Sequence, residues 1–345
     1  NLDFAEFDGK TLINLDTEEY GEIYVSSAGG ARTETKFITE VRKIGNEYTP
    51  VSIEVKGLSG GHSGAEIHKN LGNSVKILSE VLYHLSKRYE ILLSHIDGGG
   101  KVNAIPREAI AEIAVKLDGD SIDEFKKLAG LAFENIIHDF KVSDKSPMLM
   151  VEKIDSKNTE ETFSGISLGD TSNIISFLHE FPNGVLQMSR HIEGLVKTSI
   201  NLGVINTEIV DGNAKIKIKS LARSMTNASL DKLLEEITEL TRKHDANIKI
   251  ASSNPPWEYK ENSEIRELIV KSFKELTGKD PVIKAIHAGL ECGIFTENIK
   301  NADVVSIGPN IYGAHTPEER MDIKSVGETW EWILKILENY NIKEE

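Results

Sequence analysis

His62 stands beside Gly57, Gly60, Gly61 and Gly64 in the stretch GLSGGHSGAEIHKNLGN, just ahead of a helical pattern. An imidazole in such a mobile or closely approached loop can bind a metal or act as a catalytic base, and both roles stay open from residue type. A phosphate loop is excluded: no Gly-Lys-Ser/Thr follows, and the helix would open on Ala65 and Glu66, whose charge repels phosphate. Asp16 ends the apolar strand TLINL, and His315 lies in GPNIYGAHTPEER just past the strand DVVSIG. Ligands of open α/β sheets bind outside the carboxyl ends of strands, so these two side chains are candidate zinc or manganese ligands. Two donors fall short of the roughly three protein ligands of a catalytic zinc. No HExxH occurs, and GHSGA departs from the G-x-S-x-G nucleophile elbow at Ala65. Asn103, in the loop HIDGGGKVNAIPREA, offers a neutral donor and acceptor, and Arg223, closing KIKIKSLAR, offers a fork suited to a carboxylate.

The elements that would carry these residues can be read from periodicity. Val51, Ile53 and Val55 alternate as a strand does, while Ile67, Leu71, Val75, Leu78, Leu82 and Leu85 recur at helical spacing. A helix over 63–87 is expected, with Ser63 and Glu66 as its capping box. Strands at 91–97 and 108–117 and a helix at 121–138 follow. The order then recurs from 148 to 252, as strands MLMVEK, VLQMSR, 199–210, KIKIKSLAR and NIKIA with helices at 170–181 and 229–244. Two βαββα-like units, forming two antiparallel sheets with helices on one face, are therefore expected in one inserted α+β domain. Asn254, Pro255, Pro256 and Trp257 mark its end, because two prolines stop a strand and stiffen the connection. Beyond them, helix 262–276, strand PVIKAI, the turn HAGLECG with a helix to 298, strand DVVSIG and helix 323–340 alternate as in a parallel sheet. The expected fold is α/β: a partial sheet domain from 1–48 and 254–345, with the α+β lid at 49–253 inserted.

The chain has 345 residues, enough for two cores, and its 39% apolar and 28% charged residues are those of a globular protein. A net charge of −15 argues against nucleic acid or an anionic membrane as a partner. The lone cysteine, Cys292, allows no intrachain disulfide. No apolar run approaches the roughly 20 residues of a membrane span, and no leader pattern opens the chain, so a cytoplasmic location is expected.

Taken together, LINLDTEEYGEIYVSSAGG, GLSGGHSGAEIHKNLGN, KVNAIPREA, IEGLVKTSINLGVI, LARSM, HAGLECGIF and SIGPNIYGAHTPEER resemble the zinc-dependent M20 peptidases, in their aminoacyl-histidine dipeptidase branch. That resemblance implies hydrolysis of Xaa-His dipeptides by a water activated at two zinc ions, with cobalt or manganese as substitutes. It implies that Asp16 and His315 are metal ligands and that His62 reaches from the lid to the scissile carbonyl oxygen. It further implies that Asn103 and Arg223 hold the substrate, Arg223 at the terminal carboxylate, and that Glu291 borders the substrate pocket. Cys292 reads as packing. The implied partner is a small peptide, and a homodimer is compatible with the lid.

Members of this family also carry a His-x-Asp pair, a bridging aspartate and a Glu-Glu pair upstream of the position matching Asp16. Asp3, Glu6 and Asp8 do not reproduce them. The chain as given is accordingly expected to lack part of the catalytic domain and to hydrolyse nothing well. Two other readings are a non-catalytic peptide-binding or dimerising fragment, and a tripeptide aminopeptidase or deacylase of the same family.

Overall fold

In the computed structural model, which describes residues 3–4, 7–140, 142–154, 163–190, 192–314 and 317–341, two main sheets of unequal size carry most of the strands, beside two short two-stranded pairs. The chain opens with Thr11–Asn14 (β1), Glu22–Ser27 (β2), Gly29–Lys43 (β3), Thr49–Lys56 (β4) and Gly61–His62 (β5). Ser74–Ser86 (α1), Glu90–Gly98 (β6), Ala104–Ile105 (β7), Ala109–Lys116 (β8), Ile122–Asp139 (α2) and Met148–Lys153 (β9) follow. Next come Ser164–Ile166 (β10), Leu168–Glu180 (α3), Gly184–Met188 (β11), Val196–Val210 (β12), Asn213–Ser224 (β13), Asn227–Lys243 (α4) and Asn247–Asn254 (β14). The last segment holds Glu264–Thr277 (α5), Val282–Ile286 (β15), Cys292–Asn298 (α6), Asp303–Ser306 (β16) and Ile323–Asn341 (α7).

The large sheet has ten strands in the order β10-β3-β13-β12-β6-β8-β4-β9, with β11 added to β12 and β14 to β3. One continuous sheet thus replaces the two expected from the recurring order. The two halves meet at β6 and β12 through the single register pair Ile205 and Gly98. Buried faces of α1, α2, α3 and α4 cover this sheet and make one core with Val51, Ile53, Ile113, Ile200, Ile216 and Ile218.

A second correction concerns β3. Its residues from Gly29, opposite Ser224, to Glu40, opposite Asn213, pair along β13, and Val41 to Lys43 pair with β10, so the strand belongs to the large sheet and not with β1 and β2. The chain changes sheets at residues 27–29, well before the expected boundary at 48. Alternation explains the allegiance: Ala31, Thr33, Thr35 and Phe37 are buried, and the hydroxyls of Thr33 and Ser220 bond at 2.6 Å.

The small sheet runs β1-β16-β2-β15. β1 pairs β16 and β15 pairs β2 in parallel, but β16 meets β2 antiparallel at the single pair Ser306 and Tyr24, so the sheet is mixed rather than parallel. α5 and α7 cover one face around Ile23, Val25, Ile269, Phe273, Val305 and Trp332. Fully burying each such large apolar side chain contributes about 1.5–3 kcal/mol. The indole N–H of Trp332 donates to Ile269 O at 3.2 Å.

The two crossings between sheets are zipped together. Ser27 N–H donates to Trp257 O and Trp257 N–H to Ser27 O, both at 3.0 Å. A Cβ on Gly29 would lie 2.4 Å from Pro256 N, so only glycine lets these segments touch. Among the described residues no helix is long and apolar enough to cross a membrane.

Candidate active site at the seam between the sheets

Local hydrogen bonding, rather than a helix start, shapes the His62 loop. The expected helix over 63–87 begins only at Ser74, where the Asn73 side chain accepts from Lys76 N–H at 3.0 Å. Upstream, Asn70 takes a left-handed φ of 56° and ends a short 3₁₀ turn, which breaks any continuous helix. Ser63 and Glu66 form no capping box. The Ser63 hydroxyl is buried without a partner among the described residues, and the Glu66 carboxylate accepts from His62 N–H at 2.8 Å. Lys69, paired at 2.7 Å, together with the His62 amide holds Glu66 below the usual carboxylate range.

This clamp orients the imidazole. His62 Nδ1 accepts from Ala65 N–H at 2.9 Å and, more weakly, from Gly64 N–H at 3.3 Å. A nitrogen that accepts carries no proton, so the ring is the tautomer with its proton on Nε2. His62 and Ala104 are register partners, and Ser63 N–H donates to Asn103 O at 3.0 Å. Asn103 therefore supports the His62 strand through its backbone. With Gly61, Lys101, Arg107 and Glu108, both residues border a cleft of about 890 Å³.

Arg223, second to last in β13, is not the surface residue that a strand end would allow. It is only 8% exposed, and its Nε is buried with no hydrogen-bond partner among the described residues. Among the described residues no carboxylate pairs with it. Burial first, and the nearby Arg32 second, push its pKa down to about 10. An unpaired charge in such a place is costly, and an anion that reaches it relieves that cost.

Gly64 marks where the sheets converge. A Cβ there would lie 2.6 Å from His287 O, 3.1 Å from Arg223 Nε and 3.1 Å from His62 Cε1. His287 follows β15 in the small sheet, and its Nε2 is 2.7 Å from the Ser199 hydroxyl of β12. Ser199 is the register partner of Arg223. Burial and the Arg223 charge push His287 down to about 3, with a smaller opposing effect from the Val196 backbone, so the ring is neutral above that pH. Sequence reasoning missed His287 and Ser199. The strand-end rule that drew attention to Asp16 applies equally to His287, the first residue after PVIKAI.

The remaining candidates gather on the far side of the same turn. The Asn14 side chain donates to Glu291 Oε1 at 3.0 Å and accepts from Asp16 N–H at 3.0 Å. Glu291 thus sits with Asp16, joined to it through Asn14. Burial, then Glu291 and Asp16, push the Cys292 thiol up to about 12, so it is an inert packing group. His315 lies outside the described residues. Among those described, no group of three His, Cys, Asp or Glu side chains could hold a metal ion.

Comparison with known proteins accounts for this arrangement. Residues 53–136 match the peptidase dimerisation domain, and residues 179–339 match peptidase family M20/M25/M40. The chain belongs to the M20 peptidase family, whose hydrolases use divalent metal ions. Within it, the chain is a homologue of the aminoacyl-histidine dipeptidases. It is 33% identical over 332 residues to the cytosol non-specific dipeptidase of Escherichia coli (strain K12), covering 96% of this chain and 66% of that enzyme. The crystal structure of aminoacylhistidine dipeptidase from Vibrio alginolyticus superposes with a TM-score of 0.86 at 30% identity, covering 98% of this chain and 67% of that one.

Proposed function

We propose that the whole protein is a cytoplasmic metallodipeptidase that cleaves dipeptides of the Xaa-His type, and that the seam at Gly64 is where the dipeptide lies. The observation that carries this reading is the pairing of a buried guanidinium, with no acid beside it among the described residues, with an imidazole whose Nδ1 accepts, leaving its proton on Nε2. Arg223 takes the terminal carboxylate of the dipeptide. His62 Nε2–H donates to the scissile carbonyl oxygen as charge develops there, and one such donor is worth about 10²–10³ in rate. Asn103 borders the same cleft and helps hold the peptide.

Asp16 and His315 are the proposed metal ligands from this chain, with Glu291 bordering the substrate pocket from the Asp16 side. Two zinc ions, or cobalt or manganese in their place, would supply a water of lowered pKa when bound. Since the described residues hold no three-donor group, the 345 residues alone are proposed to bind dipeptides without cleaving them. The dimerisation-domain match supports a homodimer.

The test is His62→Ala in the whole protein, with alanyl-histidine as substrate and metal measured by elemental analysis. A kcat lowered about 10²-fold with metal content unchanged supports the reading. Loss of metal, or an unchanged kcat, contradicts it.

A further inference from the structure

His287 has an incomplete set of partners. It is 5% exposed and uses Nε2 to reach Ser199 across the seam, while among the described residues Nδ1 is buried with no partner of hydrogen-bond geometry, the Val196 backbone having only a small effect on the ring. An unpaired buried nitrogen of this kind is costly, and so is Arg223 Nε, which is orphaned in the same seam. Their proximity follows from geometry: Ser199, which holds the ring, is the register partner of Arg223, and Gly64 lies against both the His287 backbone and Arg223 Nε.

The ligand chemistry follows from what satisfies both atoms. Arg223 Nε can only donate. A neutral imidazole has one N–H and one lone pair, and a serine hydroxyl can serve either nitrogen as donor or as acceptor. When Ser199 donates to Nε2, the ring proton sits on Nδ1, and the seam presents two donors side by side. A carboxylate accepts from two donors through its two oxygens. An amine or a cation would meet only repulsion from the guanidinium.

We propose that His287 is a second anchor of the Arg223 subsite, donating from Nδ1 to the ligand's terminal carboxylate, with Ser199 as the positioning residue that sets its tautomer. This rests on the reading above that the seam receives a peptide carboxylate. His287 thereby adds a directional, uncharged contact to the charge of Arg223, and it favours a free acid over an amide of the same shape.

The test uses the 345-residue chain and isothermal calorimetry with alanyl-histidine and its C-terminal amide. His287→Asn places an amide N–H near the Nδ1 position, whereas His287→Gln places one near Nε2 and so preserves only the link to Ser199. The expected result is that Asn keeps the preference for the free acid while Gln loses about ten- to a hundredfold in affinity for it, with the amide unaffected. A role confined to bridging the sheets gives the reverse, with Gln binding like wild type and Asn weakened, and that result overturns the proposal. If either variant is too unstable, Ser199→Ala decides: a reduced preference supports the proposal and an unchanged one refutes it. Arg223→Gln separates the two readings. If it too leaves free-acid binding intact, or if wild type binds neither ligand, the carboxylate-binding seam itself is wrong. If Arg223 matters and His287 does not, only the present inference falls.

Discussion

Gly64→Ala is the smallest change that challenges the seam directly. The glycine has no left-handed φ, so alanine is acceptable to its backbone, and the conflict is entirely with what surrounds it. The added methyl would sit 2.6 Å from a backbone oxygen of His287, and ordinary contact begins at 3.4 Å. About 0.8 Å must therefore be found by moving the His62 loop away from the small sheet. The same methyl meets Arg223 Nε and His62 Cε1, each at 3.1 Å, so the shift falls on both proposed substrate contacts at once. Misplacing a reacting group by about 1 Å costs on the order of 10² in rate, while overpacking costs about 1–3 kcal/mol of stability. The expected outcome is a severe loss of alanyl-histidine affinity in the 345-residue chain, and of kcat in the whole protein, with a small fall in Tm. Gly130→Ala, in α2 with nothing within 4 Å, is the control that should leave binding alone. If Gly64→Ala binds the dipeptide as wild type does, the substrate does not lie at this seam.

Two further outcomes concern stability. Lys76 is buried in α1, pairs with Glu80 at 2.9 Å and donates to Leu178 O and Phe181 O at the end of α3. Lys76→Met leaves a buried carboxylate with only His179 at 2.8 Å and should cost about 3–5 kcal/mol in urea denaturation, a loss below about 1 kcal/mol being inconsistent with this network. For His287 the folded pKa, about 3, lies below its ordinary 6.5. Between those values the unfolded chain binds more protons than the folded one, so stability falls as pH drops from 6.5 toward 3. At about 1.4 kcal/mol per unit the ceiling is about 5 kcal/mol. A His287→Asn variant should show a shallower acid-side decline, and a profile parallel to wild type would contradict the assignment.

Much of this fold is legible in the sequence because its period is unmistakable. KIKIKSLAR and VSIEV alternate cleanly, and the prolines at 255 and 256 stop β14 where the chain recrosses. What was not legible has physical reasons. Ser63 and Glu66 carry the residue types of a capping box, yet Glu66 serves the His62 amide and Asn70 turns the chain left-handed before α1 can start. β3 buries threonines, not aliphatic residues, at 33 and 35, so its alternation does not announce a core strand. Nothing local distinguishes one ten-stranded sheet from two smaller ones, because the join is a single residue pair between strands a hundred residues apart. Asp16 and Arg223 are legible as candidates by their places at strand ends. The burial that makes Arg223 informative depends on Ser199, His287 and Gly64, which come together only in three dimensions.

The central claim is that an unpaired Arg223 waits for the carboxyl end of a dipeptide. The most direct test compares calorimetric binding of alanyl-histidine and its C-terminal amide by wild type and by Arg223→Gln. The account predicts that wild type favours the free acid by about ten- to a hundredfold and that the variant binds acid and amide alike. Equal affinity of wild type for the two ligands, or a preference that survives the substitution, would contradict it.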